Sequence, residues 1–304
     1  MSAFVLKLIA VVSMLIDHAA YSLFLAGVFT GKGYVYMRAV GRIAFPIFAY
    51  MIVNGFEKTH DVRRYFSRLA LFAVISQPVY RLAFTAANYG AQALTGGGIT
   101  LSLTAANITA PCLAALIAAA CLIFACRGRV DLSLLWVCAA LVLPYVRLEV
   151  FGITLLGGKL NVFYTLAIGL ALIAALDALR RARGGKGELF RALMLLLAAL
   201  AAALLLQKTA DYGWMGLALI AALYLARSRR VYQAGVIVLW CVCEYAVMQS
   251  SWFSRSMPCS PPCQYCSTPG GSARVCAGFI LSTLCTLAYF MCFLFWFRVD
   301  FGVE

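Results

Sequence analysis

The chain has little charge for its length, and acidic residues are especially scarce. Only 12% of its 304 residues are charged, whereas about a quarter of a typical soluble domain is. Hydrophobic residues make up 64% of the sequence and fall into long apolar runs. A soluble domain is therefore excluded, and the composition predicts a membrane protein that crosses the bilayer several times.

The basic residues outnumber the acidic ones by 25 to 11, which gives a formal net charge of +14. They form short clusters between apolar runs, as topology signals beside anionic lipid do, and not one basic face of the kind that binds nucleic acid. We therefore expect membrane lipid but no nucleic acid as a partner. The first apolar run continues to Phe29 without a small-residue cleavage site, which favours a retained helix over a removed signal peptide.

Ten apolar runs predict an all-α helical bundle of about ten transmembrane helices, forming one integral-membrane domain over residues 1–304. The runs cover 4–29, 42–56, 68–87, 107–126, 132–147, 161–176, 190–207, 212–226, 231–249 and 277–297. With the N-terminus in the cytoplasm, 16 of the 25 Lys and Arg residues fall in cytoplasmic segments. This bias predicts that both termini are cytoplasmic.

Two longer external segments are expected to be loops. Residues 88–106 carry no charge and contain three consecutive glycines, and residues 250–276 are rich in Pro, Ser and Gly. The second segment holds four cysteines: Cys259, Cys263, Cys266 and Cys276. An extracytoplasmic loop favours one or two disulfides, with zinc binding or free thiols as alternatives. No histidine is nearby, and we assign no metal to the chain.

The most informative stretch is Lys7 to Tyr21, because it carries Asp17 and His18 in the middle of an apolar run. Ionisable groups at membrane depth are costly, so they are kept when they have a partner or a task. Lys7 and His18 are eleven positions apart and therefore lie on one face of a helix. The adjacent residues Asp17 and His18 are therefore the first candidates for a functional site.

Arg42 is expected to open the second helix at about the depth of Asp17 and His18. An Arg42–Asp17 ion pair is then geometrically reasonable, and snorkelling of Arg42 to the outer interface is the alternative. Pro46 is predicted to kink this helix and to free a backbone carbonyl.

The turn at 57–65 is dense in hydrogen-bond donors on the predicted cytoplasmic side, and Arg68 follows it. By itself it is an ordinary positive-inside loop. Together with the N-terminal lysine it could instead bind the phosphates of a nucleotide cofactor. The residues considered for this role are Lys7, Lys58, His60, Arg63, Arg64 and Arg68.

Two later stretches supply further polar candidates for substrate or oxyanion binding. Asn161 and Thr165 lie one turn apart on the predicted sixth helix, and Asp211 and Tyr212 directly precede the eighth. Pairing of Asp211 with Lys208 is an alternative to a role in the site.

Four blocks in order resemble the TraX family of membrane proteins, whose named member N-acetylates conjugative pilin. The blocks are KLIAVVSMLIDH, GRIAFPIFAYMIVNGFEKTHDVRRYFSRL, NVFYTLAIGL and DYGWMG. The resemblance implies a multi-pass acyltransferase of the bacterial inner (cytoplasmic) membrane that uses cytosolic acetyl-CoA. It also implies that His18 is the catalytic base, with Asp17 and Arg42 beside it. The acceptor would be an amine or hydroxyl, on a protein N-terminus such as that of pilin or on a glycan.

This implied chemistry agrees with the residues. A histidine suits the removal of a proton from the acceptor, and Arg42 or Asn161 could stabilise the oxyanion that develops. The alternative function is a proton-coupled transporter or flippase that uses Asp17, His18 and Glu244, although we find no internal repeat to support it. In a third interpretation the chain is an assembly protein, and these charged residues form structural ion pairs. We expect Glu244 to form such a pair.

Overall fold

The computed structural model describes residues 3–25, 32–89, 99–103, 120, 146–150, 153–156, 159–182, 185–206 and 209–255. These residues form eight named helices and three short strands. The elements are α1 Ala3–Leu25, α2 Lys32–Arg42, α3 Ala44–Lys58, α4 Val62–Tyr89, β1 Ile99–Leu103, β2 Val146–Val150, β3 Ile153–Leu156, α5 Val162–Arg181, α6 Lys186–Leu206, α7 Gly213–Leu225 and α8 Arg230–Arg255.

The described chain is predominantly helical, as predicted, and helices cover seven of the ten apolar runs. Four stretches of it are long and apolar enough to cross a membrane: Phe4–Tyr21, Gly33–Lys58, Val162–Arg181 and Lys186–Leu204. The predicted runs at 107–126 and 277–297, and most of the run at 132–147, lie outside the described residues.

A small antiparallel sheet, in the order β1-β2-β3, was not predicted. The strand β1 falls within the segment 88–106 that was expected to be a loop, and β2 begins at the end of an expected helix. Apolar residues alternate with polar ones in both strands, ITLSL and VRLEV, which is the period of a strand. The prediction of a helical bundle did not include this sheet, because helical periodicity alone could not detect such short segments.

A break at Ile43, near the start of the predicted run 42–56, separates α2 from α3. Its cause is Pro46, which has no N–H to donate to the carbonyl of Arg42 four residues earlier. Pro46 is tolerated in the first turn of α3, where N–H groups have no partner within the helix. The predicted kink within the helix at Pro46 is instead a break before α3, and Arg42 ends a helix and does not open one.

The helices α1 and α2 pack as an antiparallel pair. Phe24 stacks on Tyr34, with ring centroids 4.4 Å apart, and deeper in the pair Gly41 lies against the backbone of Asp17. A Cβ atom on residue 41 would clash with both Cα and Cβ of Asp17. Glycine is therefore required at this position for the close approach that brings α2 to the Asp17–His18 pair.

The helix α3 occupies the centre of the bundle and packs against α1, α5 and α7. Phe45, Phe48, Ile52 and Phe56 along its length are nearly inaccessible to solvent. Helix α6, in contrast, packs mainly against α5 and exposes a row of leucines that suits contact with lipid: Leu193, Leu197, Leu200 and Leu204. The bundle thus has an inner helix, α3, and an outer helix, α6. The Asp17–His18 pair lies on α1, which packs against the inner helix.

Candidate functional site

One face of α1 is turned into the protein, as its sequence spacing predicted. Lys7, Val11, Met14 and His18 are all buried, and His18 is only 6% exposed. Val12, on the opposite side, is exposed. The histidine therefore lies inside the bundle, on the same buried face as the residues of the preceding turns.

Asp17 pairs with Arg38 of α2. The Oδ2 and Nη1 atoms are 2.5 Å apart, and both side chains are largely buried. Arg38 also lies over the ring of Tyr21, 5.7 Å from its centroid. The expected Arg42–Asp17 pair is therefore replaced by an Arg38–Asp17 pair, because α2 continues as a helix on the N-terminal side of Arg42 and brings Arg38 against α1.

Arg42, at the end of α2, forms its ion pair with Glu244 of α8, with Nη1 and Oε1 3.3 Å apart. Its guanidinium carbon lies 5.1 Å from the ring centroid of Tyr212. The expectation that Glu244 takes part in a structural ion pair is confirmed. These contacts join the end of α2 to α8 and to the start of α7.

Tyr212 lies at the centre of an aromatic cluster. Its ring stacks on Phe45 with centroids 3.8 Å apart, and the ring of Trp240 lies 6.5 Å from that of Tyr212 and 5.9 Å from that of Phe45. The turn into α7 uses Gly213, whose φ of 47° lies in the left-handed region that favours glycine. This turn holds Tyr212 against the inner helix.

His18 has both aromatic and charged neighbours. The ring of Tyr80, on α4, meets it edge-on with centroids 6.4 Å apart. Asp211, Arg38 and Arg42 are close enough to act on the charge of the imidazole. The structure therefore brings together Asp17, His18, Arg42, Asp211 and Tyr212, which the sequence analysis had selected from three separate stretches.

Asn161 is fully engaged in joining α4 to α5. Its Nδ2 donates to the carbonyl of Ala73 (2.8 Å) and to Oγ of Ser76 (3.1 Å), and its Oδ1 accepts from the N–H of Phe163 to cap α5. Gln77 accepts from its backbone N–H at 3.0 Å. Because both amide hydrogens are donated within the protein, Asn161 has no donor left for a substrate in this conformation.

Thr165 is 1% exposed, and its Oγ1 has no hydrogen-bond partner among the described residues. A Cβ atom on Gly216 would lie within 3 Å of Thr165, Tyr212 and Phe45. Thr165 therefore borders the aromatic cluster. It lies one turn after Asn161, whose amide hydrogens are both donated within the protein.

A basic cavity of about 320 Å³ lies at the opposite end of α4. Its lining consists of Gly55, Lys58, Thr59, His60, Asp61, Arg64, Tyr65 and Arg68. Four of the predicted phosphate-binding residues, Lys58, His60, Arg64 and Arg68, are in this set, whereas Lys7 and Arg63 are not. From the rise of a helix, about 18 Å along α4 separates Arg68 from Tyr80, which touches His18.

A cluster of charged residues, at the ends of α3, α5 and α7 away from His18, was not predicted. Asp177 is buried and accepts hydrogen bonds from Tyr224 (2.7 Å) and Arg181 (2.6 Å), and Arg227 pairs with Glu57 of α3 at 3.4 Å. The spacing of Asp177 and Arg181, four apart at the end of an apolar run, was the available signal. The cluster ties three helices together beside the cavity.

Within the described residues no group of three or more His, Cys, Asp or Glu side chains could hold a metal ion. Cys259, Cys263, Cys266, Cys276 and Lys208 lie outside those residues, so the predictions about them remain predictions.

A family model described as TraX protein matches residues 2–154 of the chain. The protein named "Probable fimbrial assembly protein FimC, serogroup H1" of Dichelobacter nodosus is 40% identical over 79 residues, which are 26% of this chain and 31% of that protein. The chain thus matches less than a third of that relative's length. No solved structure matches it significantly.

Proposed function

Because the chain belongs to the TraX family, whose model matches half of it, we propose that it is a membrane-embedded acetyltransferase that takes acetyl groups from cytosolic acetyl-CoA. The observation that carries this proposal is the position of a buried histidine, His18, beside the Asp17–Arg38 ion pair and Arg42. A purely structural helix has little use for so many ionisable groups at membrane depth.

His18 acts as the general base in this proposal. It takes the proton of the acceptor amine or hydroxyl while the acceptor nitrogen or oxygen bonds to the thioester carbonyl carbon. When the carbon–sulfur bond breaks, His18 returns the proton to the thiolate of CoA. The adjacent ion pair and Arg42 provide a fixed field around the oxygen on which negative charge develops.

The basic cavity supplies the binding site for the phosphates of the acetyl donor. Lys58, His60, Arg64 and Arg68 line it, and cationic side chains bind phosphate oxygens through charge-assisted hydrogen bonds. About 18 Å along α4 separates the cavity from the His18 contact. Such a separation suits a long donor whose phosphates and thioester lie at opposite ends, as they do in acetyl-CoA.

The same proposal includes a topology of ten spans with both termini in the cytoplasm of a bacterial cell, in the inner membrane. The cavity would then face the cytosol, where acetyl-CoA is made, and the Tyr212 end would face outward. A relative named as a fimbrial assembly protein favours an exported protein N-terminus, such as that of a pilin, as acceptor. A glycan hydroxyl is the other acceptor class.

Binding of acetyl-CoA to the purified protein in detergent tests the proposal. Acetyl-CoA should raise the melting temperature, whereas sulfate at equal ionic strength should not. Labelled acetyl-CoA should then transfer acetyl groups to native membranes that contain the protein, but not to membranes without it. If neither binding nor transfer is found and the protein carries protons in liposomes, the transporter interpretation is correct instead.

A further inference from the structure

Trp240 of α8 places a hydrogen-bond donor inside the site. The side chain is 8% exposed, and its Nε1 has no hydrogen-bond partner among the described residues. An indole nitrogen can only donate. Since a buried donor without an acceptor is unfavourable, this N–H indicates a ligand that brings an oxygen.

Other buried polar atoms beside Tyr212 are also without a partner in the described part of the chain. They are Nε of Arg42, Oδ1 of Asp17 and Oγ1 of Thr165. Arg42 lies over the Tyr212 ring, and Trp240 borders that ring from α8. The side chains of Trp240 and Arg42, each with a buried N–H that has no partner among the described residues, therefore lie beside the same aromatic ring from two different helices.

The charge balance indicates what these two donors bind. Arg42 already pairs with Glu244, and the carboxylates of Asp17 and Asp211 also act on its charge. A ligand that already carries a full negative charge when it binds would be opposed by these carboxylates, whereas a neutral carbonyl oxygen can accept both N–H groups with its two lone pairs. The stacked rings of Phe45 and Tyr212 form an apolar wall that strengthens such bonds by excluding water.

We propose that the N–H groups of Trp240 and Arg42 bind a neutral carbonyl oxygen of the reactants. This inference rests on the proposed acetyl transfer. The carbonyl belongs either to the acetyl thioester or to an amide of the acceptor. In the first case its oxygen gains negative charge as the acceptor adds to the carbonyl carbon, and it loses that charge when the carbon–sulfur bond breaks and His18 protonates the departing thiolate.

The variant Trp240→Phe tests the inference, because it removes the N–H and keeps an aromatic ring against Phe45 and Tyr212. We expect labelling of native membranes from acetyl-CoA to become about 10- to 1,000-fold slower, the range between loss of one ordinary hydrogen bond and loss of one oxyanion donor. The matched control is Trp214→Phe, the same change at a residue that is 43% exposed, which should keep the wild-type rate.

Binding of acetyl-CoA and of S-ethyl-CoA, which lacks the carbonyl, identifies the source of the oxygen. If wild type prefers acetyl-CoA and Trp240→Phe loses this preference, the oxygen is that of the acetyl group. If labelling slows and the preference is unchanged, the oxygen belongs to the acceptor. A wild-type labelling rate in a folded Trp240→Phe protein overturns this inference alone, whereas a wild-type protein that neither binds nor transfers overturns the proposed function with it.

Discussion

Asp17 on α1 and Arg38 on α2 form an ion pair with Oδ2 and Nη1 2.5 Å apart, and only 13% and 15% of the two side chains are exposed. Breaking such a pair by removing one partner is costly, because the remaining charge is left buried without compensation. The pair therefore fixes α1 against α2 next to His18.

Asp17→Asn should lower the free energy of unfolding by about 3–5 kcal/mol, because it leaves the charge of Arg38 buried. The double variant Asp17→Asn/Arg38→Gln should regain much of this loss. Unfolding in detergent followed by circular dichroism measures both. Asp61→Asn is the matched control, since the Asp61–Arg64 pair is 47% and 81% exposed and should contribute less than about 1 kcal/mol. Equal effects at the two aspartates would contradict the importance of the buried pair.

Gly41→Ala should destabilise the protein by about 1–3 kcal/mol, because the new Cβ would push α1 and α2 apart at Asp17. Gly235→Ala is the control: a Cβ there meets nothing within 4 Å, and alanine should stabilise α8 by up to about 1 kcal/mol. Thermal unfolding of the two variants should thus shift in opposite directions. A shift in the same direction for both would show that the contact at Gly41 is not limiting.

Asn161→Ala should lower stability by about 2–4 kcal/mol, because it removes the cap of α5 and both buried hydrogen bonds from the Asn161 amide to α4. Thr165→Val should change stability by less than about 1 kcal/mol, since its Oγ1 has no partner among the described residues. Denaturant unfolding compares them. If the Asn161→Ala protein is as stable as wild type and has lost only activity, Asn161 is an oxyanion donor, as the sequence suggested.

Arg64→Gln/Arg68→Gln should weaken acetyl-CoA binding by about 10- to 100-fold, because each change removes one cationic donor from the cavity. Lys186→Gln/Arg191→Gln removes the same charge elsewhere on the expected cytoplasmic side and is the control. Calorimetry on the detergent-solubilised proteins measures both affinities. An unchanged affinity in the first variant would leave this turn as a topology signal only.

Features that depend on a single helix could be predicted from the sequence. The eleven-residue spacing of Lys7 and His18 correctly predicted one buried face of α1, and Pro46 indicated an irregularity in the second helix, which the structure has as a break before α3. Both follow from local rules of helix geometry and backbone hydrogen bonding.

Partners on different helices could not be predicted in the same way. Arg38 and Arg42 are one turn apart on α2, so the packing between helices, including that of Gly41 on Asp17, decides that Arg38 reaches Asp17 and that Arg42 reaches Glu244. Trp240 was not predicted as a site residue, because a tryptophan in an apolar run is ordinary unless its N–H is buried without a partner among the described residues. The strands were not predicted, because segments of four or five residues are too short to be detected by a search for long apolar runs.

The role of His18 is tested most directly by acetyl transfer from labelled acetyl-CoA to native membranes, with the His18→Ala variant compared with wild type. The proposal predicts a rate about 10²–10⁴-fold lower at saturating acetyl-CoA, with unchanged acetyl-CoA binding and a loss of stability of no more than about 1–3 kcal/mol. His60→Ala, the other histidine of the chain, should instead weaken binding and keep the rate at saturation. Near-wild-type transfer by folded His18→Ala would contradict the assignment of His18 as the base.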